Sequence, residues 1–309
     1  MTQTDTILIV VDPTSETQPA AERGRHLARH CGMRVELFIC GYSPQLLGSQ
    51  LLDPQRIDAV KRGFLDDQRS KLDALAQTFA AEGIEVDVSV SWDHPLYEGI
   101  VRRVMRSDPR LVIKDTHYHS RLKRALFTNT DWHLIRSCPA PLWLVKPDIE
   151  FTRPVFLAAV DPLHEGDKPA ALDTRLLSEA FEYADELGGV VHAFHAFNPF
   201  VEPDDPARVE EAHDSAMQQL VDAVQVPEER THVRAGNTVE VLPQLAVETD
   251  AAVVVMGAVS RGRLEHAIVG STAENVLDLL PCDVLVIKPK GFVSPVTFKS
   301  APRGAIFAE

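Results

Sequence analysis

The stretch AVVVMGAVSRGRLEHAIVGSTAENVLDLLPCDVLVIKP, Ala252 to Pro289, decides the fold. It opens on an apolar run, Val253-Val254-Val255-Met256, that stops at Gly257. A short unbroken apolar run bounded by glycine reads as a strand buried on both faces, as the strands of a parallel sheet are. A loop rich in glycine and basic residues follows, from Gly257 to about Glu265. Gly270-Ser271-Thr272-Ala273-Glu274 then opens a segment with apolar residues at Val276, Leu277 and Leu280. Ser271 or Thr272 fits a helix N-cap, and Glu274 stands at the capping-box spacing from Ser271. Pro281 stops the helix, and Val284 to Ile287 is a second buried strand. Glycines, small hydroxyls and free N–H groups thus meet at the carboxyl end of a parallel strand. Open α/β sheets bind ligands there, and a helix start there is a cradle for an anion.

The same grammar occurs earlier. Leu111-Val112-Ile113-Lys114-Asp115 is followed by a basic loop, His117 to Arg124, and then by FTNTDWHLIRSCPAPLWLVKP, Phe127 to Pro147. This segment aligns without a gap to Val269–Pro289 at an offset of 142 residues. Thr130 matches Thr272, Pro139 matches Pro281, and Lys146-Pro147 matches Lys288-Pro289. The strand Ile7 to Val11 with Asp12-Pro13 parallels Val155 to Val160 with Asp161-Pro162. A period this long is two copies of one domain rather than a solenoid.

A strand ending in Val160-Asp161, and a late strand ending in Met256-Gly257 with Gly270-Ser271 thirteen residues after the first glycine, resemble the universal stress protein family. The two copies resemble its tandem (two-domain), UspE-like branch, and the resemblance covers about Thr6 to Pro289. It implies two tandem doubly wound α/β domains, each with five strands in the order 3-2-1-4-5. Members that bind ATP carry Gly-x2-Gly-x9-Gly-Ser/Thr. Here those positions hold Gly257, Ser260, Gly270 and Ser271, with Gly262 two places after Ser260. In the first copy they hold Asp115, Tyr118, Thr128 and Asn129, with no glycine. The resemblance also places Asp161 on the ribose or adenine of a nucleotide and Ala196 against the adenine.

Composition sets the frame. A chain of 309 residues accommodates two domains of ordinary size. A formal charge of −14 argues against a general nucleic-acid binder. The cysteines Cys31, Cys40, Cys138 and Cys282 show no CxxC spacing, and no secretory signal is evident, so they read as reduced cytoplasmic thiols. No apolar run reaches the roughly 18 residues that span a bilayer. The expected domains are 1–148, with the degenerate loop, and 149–290, followed by a tail, 291–309, that lies on the surface or is disordered. The short linker suggests that the copies pack as an intramolecular pseudo-dimer, and a further homodimer stays open.

Within the copies, Ala20, Ala21, Gly24, Leu27 and Ala28 form a helical stripe, and Gly188-Gly189 closes a helix that ends at Leu187. The connection Gly41 to Leu52 is apolar for a loop, either capping the core or covering an apolar pocket. Thr238 is the expected N-cap of the helix that follows Gly236-Asn237.

The candidate ligand set is Val160, Asp161, Ala196, Met256, Gly257, Ser260, Arg261, Gly262, Gly270, Ser271 and Thr272. Glycine matters in it because a phosphate approaches backbone N–H groups closely and a Cβ obstructs. Against this, Asp161 also suits a cap of the following helix or an Asx turn, Asp12 has the weaker case because its partner loop has lost the glycines, and the loop of the second copy also suits a vestigial turn. The first-copy cluster Lys114, His117, His119, Arg121, Lys123 and Arg124, with Trp92, Trp132 and Trp143, is a solvated loop, the inter-domain face, or the seat of an anionic, partly apolar ligand. His192 and His195 fall on opposite faces of a strand and cannot easily share a metal. No GxSxG, Walker loop or HExxH occurs, so no catalytic set is assigned.

Three readings stay open. One is a non-catalytic stress protein that binds ATP or a related adenine nucleotide, with Mg²⁺ only alongside it, or another small phosphorylated ligand, in its second domain. Another is an interaction protein with vestigial sites or an apolar-ligand cavity. The third is a slow ATPase switch.

Overall fold

The computed structural model describes residues 4–43, 54–119, 124–147, 149, 151–163, 171–199, 206–258, 276–298 and 307–308. The first copy runs β1 (Thr4–Val10), α1 (Pro19–Cys31), β2 (Arg34–Gly41), α2 (Pro54–Ala80), β3 (Val86–Trp92), α3 (Leu96–Ser107), β4 (Pro109–Asp115), β5 (His117–His119), β6 (Arg124–Leu126), α4 (Asn129–Ser137) and β7 (Leu142–Val145). The second runs β8 (Val155–Ala159), α5 (Leu172–Leu187), β9 (Val190–Phe197), α6 (Pro206–Val224), β10 (Thr231–Ala235), α7 (Thr238–Glu248), β11 (Ala251–Gly257) and β12 (Asp283–Ile287). The tail adds β13 (Phe307–Ala308).

The chain divides into two compact units, one of Met1–Asp115, Thr128–Val145 and Ser294–Glu309, the other of Thr116–Phe127 and Lys146–Val293. In the first, parallel strands lie in the order β3-β2-β1-β4-β7. In the second the order is β10-β9-β8-β11-β12, again all parallel. Numbered within each copy, both orders are 3-2-1-4-5, so the strand order reverses beside the first strand of each.

The central strands are apolar end to end because helices cover both faces. Ile7, Leu8, Ile9, Leu111, Val112 and Ile113 are sealed in one unit, and Phe156, Leu157, Val253, Val254 and Val255 in the other. Helix α1 buries Ala20, Ala21, Gly24, Leu27 and Ala28, the stripe read from the sequence. Helix α5 ends where Gly188 turns left-handed at φ 64° and its N–H returns to the Ala184 carbonyl, a turn that glycine makes without a Cβ penalty. The repeated Lys-Pro pair also has a physical reason. Lys146 Nζ, buried, donates to the carbonyls of Leu277 at 3.3 Å and Leu280 at 2.5 Å, a cation where a helix presents unpaired carbonyls. Lys288 Nζ donates to the Ala258 carbonyl at 3.3 Å.

Two local expectations need correction. The N-cap of α7 is Asn237, whose side-chain oxygen accepts from the Val239 N–H at 3.0 Å, and Thr238 is already helical. The basic stretch from His117 contains an antiparallel hairpin, β5 with β6, pairing His117 with Leu126 and His119 with Arg124. Within the tail, Phe307 and Ala308 pair antiparallel with Ser91 and Val90 at the β3 edge. The apolar connection expected over Gly41 to Leu52 lies mostly outside the described residues.

Arg102 ties the tail to α3. Its Nη1 reaches Asp93 Oδ2 at 2.6 Å, its Nη2 reaches Glu98, and its Nε donates to the Thr297 carbonyl at 3.4 Å. The Asp93 side chain is only 2% exposed, so removing its cation strands a buried charge. Arg102→Met is therefore expected to lower the unfolding free energy by about 3 kcal/mol, read by urea titration.

Candidate functional site

The carboxyl ends of β8 and β11 bring part of the expected ligand set together. Val160 and Asp161 follow β8, Ala196 lies near the end of β9, and Met256-Gly257 end β11. Ser260, Arg261, Gly262, Gly270, Ser271 and Thr272 lie outside the described residues. The Asp161 side chain is 36% exposed, and its N–H donates to Asp173 Oδ1 on α5 at 3.3 Å. No hydroxyl stands two residues on, where Leu163 is. Gly257 has a packing reason of its own. A Cβ there would lie 2.9 Å from Leu172 Cδ2 at the start of α5, so glycine lets that helix close on the strand end.

The matching corner of the first copy is built differently. Thr14 donates both its N–H, at 2.8 Å, and its hydroxyl, at 2.6 Å, to Asp12 Oδ1, an Asx turn with a second tie. Where the second copy has Gly257, the first has Asp115, buried, whose Oδ1 accepts from the Ala20 N–H at 2.5 Å. Gln18 supplies no side-chain cap to α1, so Asp115 caps that helix from 95 residues away. Asp131, fully buried, accepts from the N–H of Thr128 at 2.7 Å and its hydroxyl at 2.8 Å, closing a capping box on α4. Lys114 Nζ neutralises Asp131 Oδ1 at 2.8 Å. A phosphate is stabilised by helix N-terminal N–H groups. Here two of the chain's own carboxylates take the helix starts. These carboxylates were missed in the sequence, where only the loss of glycine was visible.

The expected opposition of His192 and His195 holds, and each has a histidine partner. His192 Nδ1 lies 2.9 Å from His232 Nε2 on the neighbouring strand. His195 Nε2 lies 2.7 Å from His213 Nδ1 on α6. Burial lowers both His192 and His232 from 6.5, helped by His232 and Arg230 for the first and by Arg234 for the second, with Glu248 opposing. The thiols of Cys40 and Cys282 are pushed up to about 12 by burial, so neither is a nucleophile at neutral pH. Among the described residues no three of His, Cys, Asp or Glu converge as a metal site requires, and no helix is long and apolar enough to cross a membrane.

Aromatic rings gather at the same edge of the first sheet. Trp92 meets Phe64 edge-on at 4.9 Å and Tyr42 at 5.5 Å, and Tyr42 stacks on His94 at 4.6 Å. Trp143 stands apart from them, sealed in β7.

Two domains of this strand order match the sequence profile of the universal stress protein family over residues 3–146 and 157–288. The chain belongs to the universal stress protein family. It is a tandem member: Universal stress protein E of Escherichia coli K12 is 33% identical over 302 residues, covering 94% of this chain and 96% of that protein. Among solved structures, a functionally unknown protein from Pseudomonas aeruginosa PAO1 is similar at a TM-score of 0.75 and 27% identity, with 93% of each chain covered. A universal stress protein from Archaeoglobus fulgidus DSM 4304 is similar in fold, at a TM-score of 0.68 and 19% identity over 93% of this chain and 99% of that one.

Two outcomes follow from this geometry. Asp115→Asn removes the charge that caps α1 and is expected to lower stability by about 1 kcal/mol in chemical denaturation. Because burial holds His192 and His232 below 6.5 in the folded state, the unfolded chain binds more protons just under that pH. Their stabilising contribution is full above 6.5 and falls as the pH drops below it. The urea midpoint is expected to fall between about pH 7.5 and about pH 5.5, and to fall less in the His192→Gln/His232→Gln double variant.

Proposed function

We propose that this universal stress protein is a non-catalytic binding protein of the stress response, cytoplasmic, whose second domain takes an adenine nucleotide or another phosphorylated metabolite. The observation that carries the reading is the difference between the two strand-end corners. In the first domain Asp12 is tied by Thr14, and Asp115 and Asp131 supply their own anions to the helix starts. In the second, Asp161 is a third exposed and Gly257 stands where Asp115 would. The ligand set we propose is Val160, Asp161, Ala196, Met256 and Gly257, with Ser260, Arg261, Gly262, Gly270, Ser271 and Thr272 contributed from sequence. Asp161 would accept hydroxyl protons of a ribose, and the glycine loop and its arginines would hold phosphate, with Mg²⁺ arriving only on the nucleotide. We also place functional domain limits at 1–148 and 149–290 and take the two domains for an intramolecular pseudo-dimer.

A second reading is favoured by the ring cluster of Tyr42, Phe64, Trp92 and His94, which would suit an apolar ligand in the first domain.

Calorimetric titration with AMP and with ATP tests the main reading. One site per chain is expected, about 10-fold weaker in Asp161→Ala, a loss of roughly one hydrogen bond to a charged group, and unchanged in Asp12→Ala. Equal weakening in both variants would reject the assignment of the site to the second domain. Phosphate release above background from ATP would favour a slow ATPase instead.

A further inference from the structure

We propose that the buried His195–His213 pair is the positioning element of the second domain's ligand site, and that it takes up one proton when an anionic ligand binds beside Asp161. The inference rests on the reading of that corner as the ligand site and goes beyond it to how the site is set and tuned.

Both rings are out of solvent, His195 at 1% and His213 at 3% exposure. Buried imidazoles are costly unless their nitrogens are paired. The fold itself does not ask for them here. Val160 N–H bonds the Phe194 carbonyl just as Val11 N–H bonds that of Phe38, so His195 stands where the first domain has Ile39, a fully buried core residue. A titratable ring stands in the place of an aliphatic one next to the candidate site.

The hydrogen bonds fix the protons. His195 Nδ1 lies 3.1 Å from the Val160 carbonyl, which can only accept, so Nδ1 carries a proton. In the neutral pair His195 Nε2 is then a lone pair, and His213 donates to it from Nδ1 across 2.7 Å. His213 is held by its ring neighbours, His195 at 4.9 Å and Phe197 at 4.7 Å. One added proton is accommodated without breaking either bond, because an imidazolium on either side still donates across the bridge. A second would set two N–H groups against each other.

The charge of that proton acts on the site. Asp161 Oδ1 lies 3.9 Å from His195 Nδ1, the nitrogen that also holds the Val160 carbonyl. The charged groups on the elements around the pair are Asp161 beyond β8, Asp173 of α5 through the Asp161 N–H, and, on the exposed side of α6 near His213, Glu210, Glu211 and Asp214. Strand β10 contributes Val233, the register partner of His195. A ligand phosphate brought to this corner favours the protonated pair, and by linkage protonation favours the ligand.

The test is calorimetric titration of AMP into the full chain at about pH 6, 7 and 8, in buffers of different ionisation enthalpy. The wild type is expected to take up as much as one proton on binding and to bind about 10-fold more weakly at the highest pH than at the lowest. His213→Phe keeps a ring against Phe197 but removes the bridge, and is expected to bind with a smaller pH dependence than the wild type, the remainder coming from His195 and from the phosphate of AMP itself. Binding without proton uptake, or a His213→Phe profile that matches the wild type, would overturn the inference and leave the ligand site standing. Absence of AMP binding at every pH would overturn the site reading, and this inference with it. Nitrogen-15 imidazole spectra of the wild type give a check that needs no variant. Both rings are expected as Nδ1–H tautomers when empty, with one moving toward imidazolium when AMP is added, and spectra unmoved by bound AMP would contradict the proposal.

Discussion

A helix that follows a parallel strand starts at the strand's carboxyl end, and its first N–H groups have no partner inside the helix. With helices on both faces of each sheet, several such starts converge on one edge, beside the strand where the order reverses. Something must accept from them. The two domains of this protein meet the requirement in different ways. In the first, Asp115 caps α1 from the end of β4 and Asp131 caps α4 within its own first turn, with Lys114 balancing the second carboxylate. In the second, the position of Asp115 is Gly257, and the start of α5 closes on it through Leu172. The same architecture is thus saturated with its own anions at one corner and not supplied with them, among the described residues, at the other.

The divergence was half legible. Alternation of apolar runs with amphipathic stretches, and the offset repeat from Phe127–Pro147 to Val269–Pro289, were enough for two parallel α/β domains, because burial on both faces leaves an unbroken apolar run. The stripe on α1 and the glycine after α5 were readable because they obey short-range periods. The loss of glycine at Asp115 was readable as a loss. What replaced it was not, since Ala20 and Asp115 meet only through the pairing of β1 with β4. The histidine pairs were hidden for the same reason. His192 and His195 lie three apart and face opposite ways, while their partners come from another strand and another helix. The hairpin from His117 is too short for a period to show, and β13 exists only because the edge of β3 offers it unpaired groups.

The buried polar groups sort along the same line. In the first domain they include carboxylates locked by helix ends, lysine or arginine, as in Asp131 with Lys114 and Asp93 with Arg102. Such groups hold one charge state and one geometry. In the second they include the imidazoles of His195 and His213, paired with one another.

The claim that the second domain alone takes a phosphorylated ligand is tested most directly by native mass spectrometry of the purified protein, with the released molecule identified after denaturation. The account predicts one phosphorylated small molecule per chain, retained from the cell or taken up when ATP is added. Two such ligands per chain, or none even in the presence of ATP, would contradict it.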